Sequence, residues 1–232
     1  MLSIIIPTLN EAGFIGRLIS QIEAQQTSAE VIVVDGGSTD QTVAEVRSLL
    51  NVKFFESEPG RAAQMNLGAK NANGDVLLFL HADSQVDKLL LSGLENALTN
   101  GDANAGSFAM QFEESNTWLK LYARFTLHNT RLLTFGDQGL FVKAALFHEI
   151  GGFKDIPFLE DVEIQNRLRK SGKFIKLKTP ITTSARRFQE KGMVRQQLKN
   201  ILLVMLFWMG ASPRWLGKFY VLMAVTRYFD IY

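Results

Sequence analysis

The sequence predicts an α/β domain built on a mainly parallel central sheet with helices on its faces. Three observations predict it. Four short runs, at residues 3–6, 31–34, 52–55 and 76–80, are rich in β-branched or large apolar residues. Apolar character is nearly continuous within them, the pattern of strands covered on both faces. Between them lie segments with helical spacing, as where Ile15, Leu18, Ile19 and Ile22 recur at i, i+3, i+4 and i+7. Strand and helix alternating at this spacing imply right-handed crossovers between parallel strands.

Each element follows from local chemistry. The strand at 3–6 runs into Pro7, and Asn10-Glu11 offers a cap and a first-turn acid to the next helix. Val43, Val46 and Leu50 mark a second helix, and residues 60–72 a third. Beyond residue 84 the alternation loosens. A helix is expected at 89–98, a strand at 106–112, a helix at 117–133 and a short strand at 139–142. A short helix at 144–150 stops at Gly151-Gly152, and one at 161–170 has a basic last turn before Gly172. A strand at 174–177 comes last in a domain spanning residues 1–190. Residues 191–232 form a C-terminal extension of two amphipathic or apolar helices, split near 210–213.

Composition narrows the function. The chain of 232 residues has no cysteine, which excludes a disulfide scaffold, a thiolate metal site and a cysteine nucleophile and fits a cytoplasmic setting. Its three histidines, His81, His128 and His148, are too scattered for a histidine-rich metal site. The net charge of +2 hides a division: residues 1–160 carry 11 basic and 19 acidic side chains, residues 161–232 carry 14 and 4. The last third is therefore suited to something anionic. No basic leader or small-residue cleavage site precedes Pro7, so no secretory signal is expected. The longest apolar run, 201–209, is nine residues, whereas a span needs roughly 20. Phe207, Trp208, Trp215, Phe219 and Tyr220 cluster near the 210–213 break, with Arg195, Lys199, Arg214, Lys218 and Arg227 around them. That pattern fits helices lying on a membrane surface at its inner face, or packing on the domain or on a second subunit in a dimer.

In an open parallel sheet, ligands bind beyond the carboxyl ends of the strands. Four such places stand out: 7–11, 35–40, 58–64 and 81–83. Asp35, followed by Gly36, either accepts hydrogen bonds from a base or ribose or bonds the amides of a plain turn. Asp83 either holds a hard divalent cation that also binds substrate phosphates or is a turn aspartate. Arg61 at a helix start either meets phosphate or is solvated. Glu160 and Asp161 supply a general base or simply favour a helix N-terminus. Arg186 and Arg187 either neutralise a diphosphate or form a solvated basic turn.

In their order along the chain, these segments resemble the family 2 glycosyltransferases, which have the GT-A fold. The matching residues are Ser-Ile-Ile-Ile-Pro-Thr-Leu-Asn-Glu at 3–11, Val-Val-Asp-Gly-Gly-Ser-Thr-Asp at 33–40, Gly-Arg-Ala-Ala-Gln-Met-Asn-Leu-Gly-Ala at 60–69 and Leu-His-Ala-Asp at 80–83. Gly-Asp-Gln-Gly at 136–139, Gly-Gly-Phe at 151–153 and Glu-Asp at 160–161 continue the series. The chain looks most like a small bacterial subgroup sometimes encoded beside radical-enzyme genes. The resemblance implies an inverting, single transfer from a nucleotide-diphosphate sugar, UDP-linked, to an acceptor hydroxyl, in some cases lipid-linked. It implies that Pro7, Asn10 and Glu11 line the nucleoside pocket, that Asp35 binds the base, and that Arg61 and Gln64 border nucleoside and phosphates. His81-Ala82-Asp83 stands where the family has Asp-x-Asp, with Asp83 binding Mn2+ or Mg2+ and His81 departing from the pattern. Gly136, Asp137 and Gln138 would lie near donor sugar or acceptor, and Asp161, with Glu160 beside it, would be the base. Processive members carry Gln-x-x-Arg-Trp; here Ala211 precedes Arg214-Trp215, which implies a single-transfer enzyme.

Three rival classes fare worse. An aspartyl phosphotransferase built on Asp35 would want a second acid where Gly37 stands. A nicotinamide dehydrogenase would want G-x-G-x-x-G where Pro7-Thr8-Leu9 stands. A non-catalytic binding protein would use the basic last third, but no nucleic-acid-binding motif is evident there.

Overall fold

The computed structural model describes residues 1–101, 103–112, 117–130, 136–183, 193–213 and 215–217. In chain order these form β1 (Leu2–Thr8), α1 (Ile15–Glu23), β2 (Glu30–Asp35), α2 (Thr42–Arg47), β3 (Val52–Glu56), α3 (Arg61–Lys70), β4 (Val76–Phe79) and β5 (Ser84–Val86). There follow α4 (Leu90–Thr99), β6 (Ala105–Phe112), α5 (Thr117–Thr126), a one-turn 3-10 helix at Gly136–Gln138, β7 (Leu140–Lys143), α6 (Ala144–Glu149), α7 (Glu160–Ser171), β8 (Phe174–Thr183) and α8 (Met193–Trp208).

One eight-stranded sheet runs β3-β2-β1-β4-β7-β6-β8-β5. The pairs among β1 to β4 are parallel, as the crossovers require. β7 enters antiparallel to both β4 and β6, β8 is parallel to β6, and β5 closes the edge antiparallel to β8.

Alternation along the central strands explains why their apolar runs are continuous. Ile4 and Ile6 join Val31, Val33, Leu78 and Leu80 on the face covered by α1 and α4. Ile5 joins Ile32, Val34, Leu77 and Phe79 on the face covered by α3, α6 and α7. The three isoleucines are fully buried, each contributing roughly 1.5–3 kcal/mol.

Pro7 lies inside β1, where a missing N–H normally costs a ladder bond. Here it costs none. Ile5 O accepts from Leu80 N on the β4 side, and Thr8 O accepts from Gly36 N on the β2 side. Pro7, two residues past Ile5, therefore points its main chain to the β4 side, beyond the end of that strand. β1 thus outruns β4, leaving a crevice where the chain order reverses, the usual ligand site of such sheets.

Four expectations need correction. Asn10 does not cap α1: the helix begins at Ile15, and Asn10 holds a left-handed φ of +56°. The strand expected at 174–177 continues to Thr183. β5 is an additional strand of three residues. The helix from Thr117 ends at Thr126; residues 131–133, assigned to it from sequence, lie outside the described residues. At the other end, α8 packs Leu203 and Val204 against Leu159 and Val162 of the domain and Leu216. Its Leu202, Met205 and Trp208, with Met209 beyond its end, are exposed. No helix among the described residues is long and apolar enough to cross a membrane.

Candidate active site

The ends of β1 and β2 are knitted together by their own polar groups. Asp35, 1% exposed, accepts from Thr8 Oγ1 at 3.0 Å and Ser38 Oγ at 2.5 Å on one oxygen. Its other oxygen accepts from the amides of Gly37 at 2.9 Å and Ser38 at 2.7 Å. All four donors come from the chain, so Asp35 in this state shapes the turn. Gly37 takes φ +92°, which favours glycine. Asn10 answers from the β1 side: its Oδ1 accepts from Thr39 N at 2.9 Å, and its own N–H donates to Ser38 Oγ at 2.9 Å. Glu11 donates its N–H to Thr42 Oγ1 at 2.8 Å.

Gln64, on α3 and 3% exposed, ties the two strand ends. Its amide donates to Thr8 O at 2.7 Å and to Val34 O at 2.8 Å. A Cβ at Gly36 would stand 3.0 Å from the Gln64 side chain, so these two residues pack edge to edge. Pro7, Asn10, Glu11, Asp35, Gly36 and Gln64 therefore converge on one rim of the crevice.

The other rim is charged. Arg61, the first residue of α3, contacts His81 Nε2 with its guanidinium and places Nε 3.4 Å from Glu160 Oε1. Arg61 and His81 line a small cleft together with Asp161 and Gln165. Ala82 is buried, so it offers only main chain. Glu160 and Asp161 open α7, where the macrodipole favours acid. The residue before them, Leu159, takes φ +63°. A left-handed leucine is uncommon and marks a backbone held by its surroundings. Asp161 Oδ1 accepts from Val162 N at 2.9 Å. Burial, and then the Asp161 charge, raise the Glu160 carboxyl above its usual range; Arg61 pulls it back.

Asp137 lies on the 3-10 turn between these groups. Burial pushes its carboxyl up to about 6, with Asp161 and Asp83 adding repulsion and Arg61 and Lys176 opposing. The structure thus brings Asp137 within the field of both Asp83 and Asp161. Asp137 Oδ1 is buried without a hydrogen-bond partner. Lys176 on β8 donates to Ser107 Oγ at 3.0 Å and to Gln138 Oε1. Desolvation lowers the Lys176 ammonium to about 7, although Asp137 favours its charged form. Gln138 is fully buried, so it holds Lys176 and does not reach into open space. Gly136 begins the turn. Arg186 and Arg187 lie outside the described residues.

Sequence reasoning missed Lys176, Gln165 and Leu159. A signal existed for the lysine: strand alternation places Lys176 on the same face as Phe174, turned inward.

No group of three acidic or histidine side chains among the described residues could hold a metal by itself. The local charge nevertheless suits one. Asp161 and Asp83 both repel the Asp137 carboxylate, whose Oδ1 has no donor, and a hard cation that completes its shell with substrate phosphates and water would relieve that.

The arrangement can hold an anionic ligand at Arg61 and take a proton at Asp161. Comparisons with known proteins address the family and the fold. Residues 3–153 match the family described as glycosyl transferase family 2. The poly(ribitol-phosphate) beta-N-acetylglucosaminyltransferase TarS of Staphylococcus aureus is 36% identical over 95 residues, covering 37% of this chain and 17% of TarS. The chain spans less than half the length of the curated relatives it matches. Among solved structures, the mannosyltransferase PcManGT from Pyrobaculum calidifontis, in complex with GDP-Man and Mn2+, has a TM-score of 0.70 at 20% identity, covering 92% of this chain and 66% of that one. S. aureus TarS 1-349 in complex with UDP-GlcNAc has a TM-score of 0.65 at 23% identity, covering 79% and 58%. These likenesses show the fold, the GT-A fold of nucleotide-sugar transferases. Because the family match covers well over half of its residues, the chain belongs to glycosyl transferase family 2.

Proposed function

We propose that the chain is the nucleotide-sugar domain of an inverting glycosyltransferase that makes a single transfer from a UDP-linked sugar to an acceptor hydroxyl. The observation that carries this reading is the position of Asp161. It opens α7 in the cleft that Arg61 and His81 line, within the field of Asp137. The TarS complex with UDP-GlcNAc supports UDP as the nucleotide, and the PcManGT complex makes GDP the alternative to test.

In this mechanism the nucleoside lies against the rim built by Pro7, Asn10, Glu11 and the Asp35–Gly36 turn. Gln64 fixes that rim, and Arg61 meets the diphosphate. Asp83 would hold Mn2+ or Mg2+, which when bound supplies positive charge for the departing diphosphate. The Mn2+ in the PcManGT complex supports that assignment. Asp161 accepts the proton of the acceptor hydroxyl as it attacks the anomeric carbon. A single base with no covalent intermediate gives inversion. Asp161 lies beyond the span matched to the family, so its role rests on this geometry.

The acceptor side meets a membrane surface through the exposed apolar side of α8, which co-flotation with anionic vesicles tests. For the activity itself, the full chain is assayed for release of UDP or GDP from sugar donors. UDP release that drops by a factor of roughly 100 in Asp161→Asn, with donor affinity kept, is expected for loss of a general base. Undiminished turnover in that variant, or nucleotide affinity absent altogether, would refute the reading.

A further inference from the structure

Beside the Gly136–Gln138 turn, β6 and β8 lose register. Phe108 pairs with Leu177, but Ala109 pairs with Pro180, so Lys178 and Thr179 are extra residues on β8. Bulges of this kind re-aim side chains and recur next to active sites. Lys178 is exposed. α5 crosses the end of β6, held where Met110 N donates to Thr126 Oγ1 at 3.0 Å. Between α5 and the bulge lies a groove of about 340 Å³.

Its lining combines two chemistries. Met110, Leu119 and Leu127 give an apolar surface, and Lys120, Arg124 and Lys178 add three cations, with no acidic side chain among the described lining residues. Leu127 remains 47% exposed. Lys120 and Arg124 stand one turn apart on α5, a like-charge pair that slightly disfavours the helix. Lys178 adds a third positive charge from the β8 side. None of the three forms an ion pair with a described residue. Cations gathered from two elements around apolar surface complement an anion attached to an apolar chain. The groove adjoins the site: Ala109 in its lining is two positions beyond Ser107, on the same face of β6, and Ser107 Oγ accepts from Lys176.

We infer that this groove binds the phosphate ester and apolar chain of an amphiphilic acceptor whose hydroxyl reaches Asp161. The inference rests on the transferase reading and names its acceptor class. The phosphate engages Lys178 together with Lys120 and Arg124, and the chain lies along Leu119 and Leu127.

Titration calorimetry on the full chain tests it with three probes: 1-decylglycerol 3-phosphate, uncharged 1-decylglycerol, and glycerol 3-phosphate without the chain. The first should bind well and the other two about tenfold more weakly or less, since each lacks one half of the recognition. Lys178→Glu, and separately Lys120→Glu with Arg124→Glu, should weaken the first probe by about tenfold or more. These positions are exposed, and UDP-sugar affinity, measured on the same samples, should not change. Equal binding of the uncharged probe or of glycerol 3-phosphate would overturn the inference, as would charge-reversed variants that bind normally. A protein that binds UDP-sugar but not decylglycerol phosphate refutes the groove alone. One that binds no nucleotide sugar refutes the transferase reading, and the acceptor role with it.

Discussion

Arg61 Nε stands 3.4 Å from Glu160 Oε1, joining the first residue of α3 to the first residue of α7. The two partners differ in exposure: the Arg61 side chain is 43% exposed and that of Glu160 only 8%. Glu160 therefore bears most of the desolvation cost, and Arg61 is the group that opposes it. A fully buried pair would lose about 3–5 kcal/mol on removal of one partner. Solvent around Arg61 reduces that to roughly 1–2 kcal/mol. Arg61→Ala is expected to cost this much in urea unfolding at pH 7, and much less when Glu160→Gln is already present. Additive losses in the double variant would show that the pair is not coupled.

The metal assignment separates two neighbours. Asp83→Ala is expected to abolish the Mn2+-dependent part of UDP affinity. His81→Ala should weaken UDP binding while leaving it metal-dependent, because His81 acts through its contact with Arg61. Calorimetry with and without Mn2+ reads both, and loss of the metal effect in His81→Ala would reverse the assignment.

Asp137 makes stability fall with pH in metal-free protein. A carboxyl held at about 6, against an ordinary 3.8, makes the folded state the stronger proton binder between those values. Stability therefore declines as pH rises from about 4 to 6, by up to about 3 kcal/mol for a shift of this size. Lys176, lowered from 10.5 to about 7, acts in the opposite sense at higher pH, where stability recovers between about 7 and 10.5. Asp137→Asn should flatten the decline below pH 6 and unfold at higher urea at pH 7. An unchanged slope, measured with a chelator present, would show that the Asp137 carboxyl is not perturbed.

The parallel half of the fold was legible because its strands are short, continuous apolar runs with helical periods between them. β8 was legible only to Leu177, where its apolar run ends; Lys178 and Thr179 form the bulge, and pairing resumes at Pro180 to carry the strand on to Thr183. β5, three residues with one apolar side chain in the middle of a turn-like stretch, gives no periodic signal. For the candidate site, residue order and the family resemblance pointed to Arg61, His81, Asp83, Asp137 and Asp161, which the fold gathers around one cleft and the turn beside it. What sequence could not give was their partners. Asp35 turning inward to four donors, and Gln64 bridging two strand ends, depend on the register of β1 with β2. The left-handed Asn10 looked like a helix cap because residue type alone favours both conformations.

The base proposed at Asp161 is supported from behind by the C-terminal helix. Leu159 holds φ +63° immediately before Glu160 and Asp161, a conformation that costs a leucine roughly 1–2 kcal/mol. Its side chain is 8% exposed and belongs to a cluster with Val162, Leu203, Val204 and Leu216, so α8 helps to hold it. The rim proposed to hold the donor is built elsewhere, from β1, β2 and α3, and has no residue in that cluster. Truncating α8 at Leu203, which is fully buried, should therefore divide the kinetic constants. Leu203→Ala is expected to destabilise by about 2–5 kcal/mol as a core truncation. At a temperature where the variant remains folded, kcat should fall by roughly tenfold or more, because a small displacement of a base is costly. The dissociation constant for UDP should stay within about twofold, as for a site with no shared contacts. Leu202→Ala, on the exposed side of the same helix, is the control and should leave both constants unchanged. A loss of nucleotide affinity in Leu203→Ala equal to its loss of turnover would mean that α8 supports the whole domain and not the base.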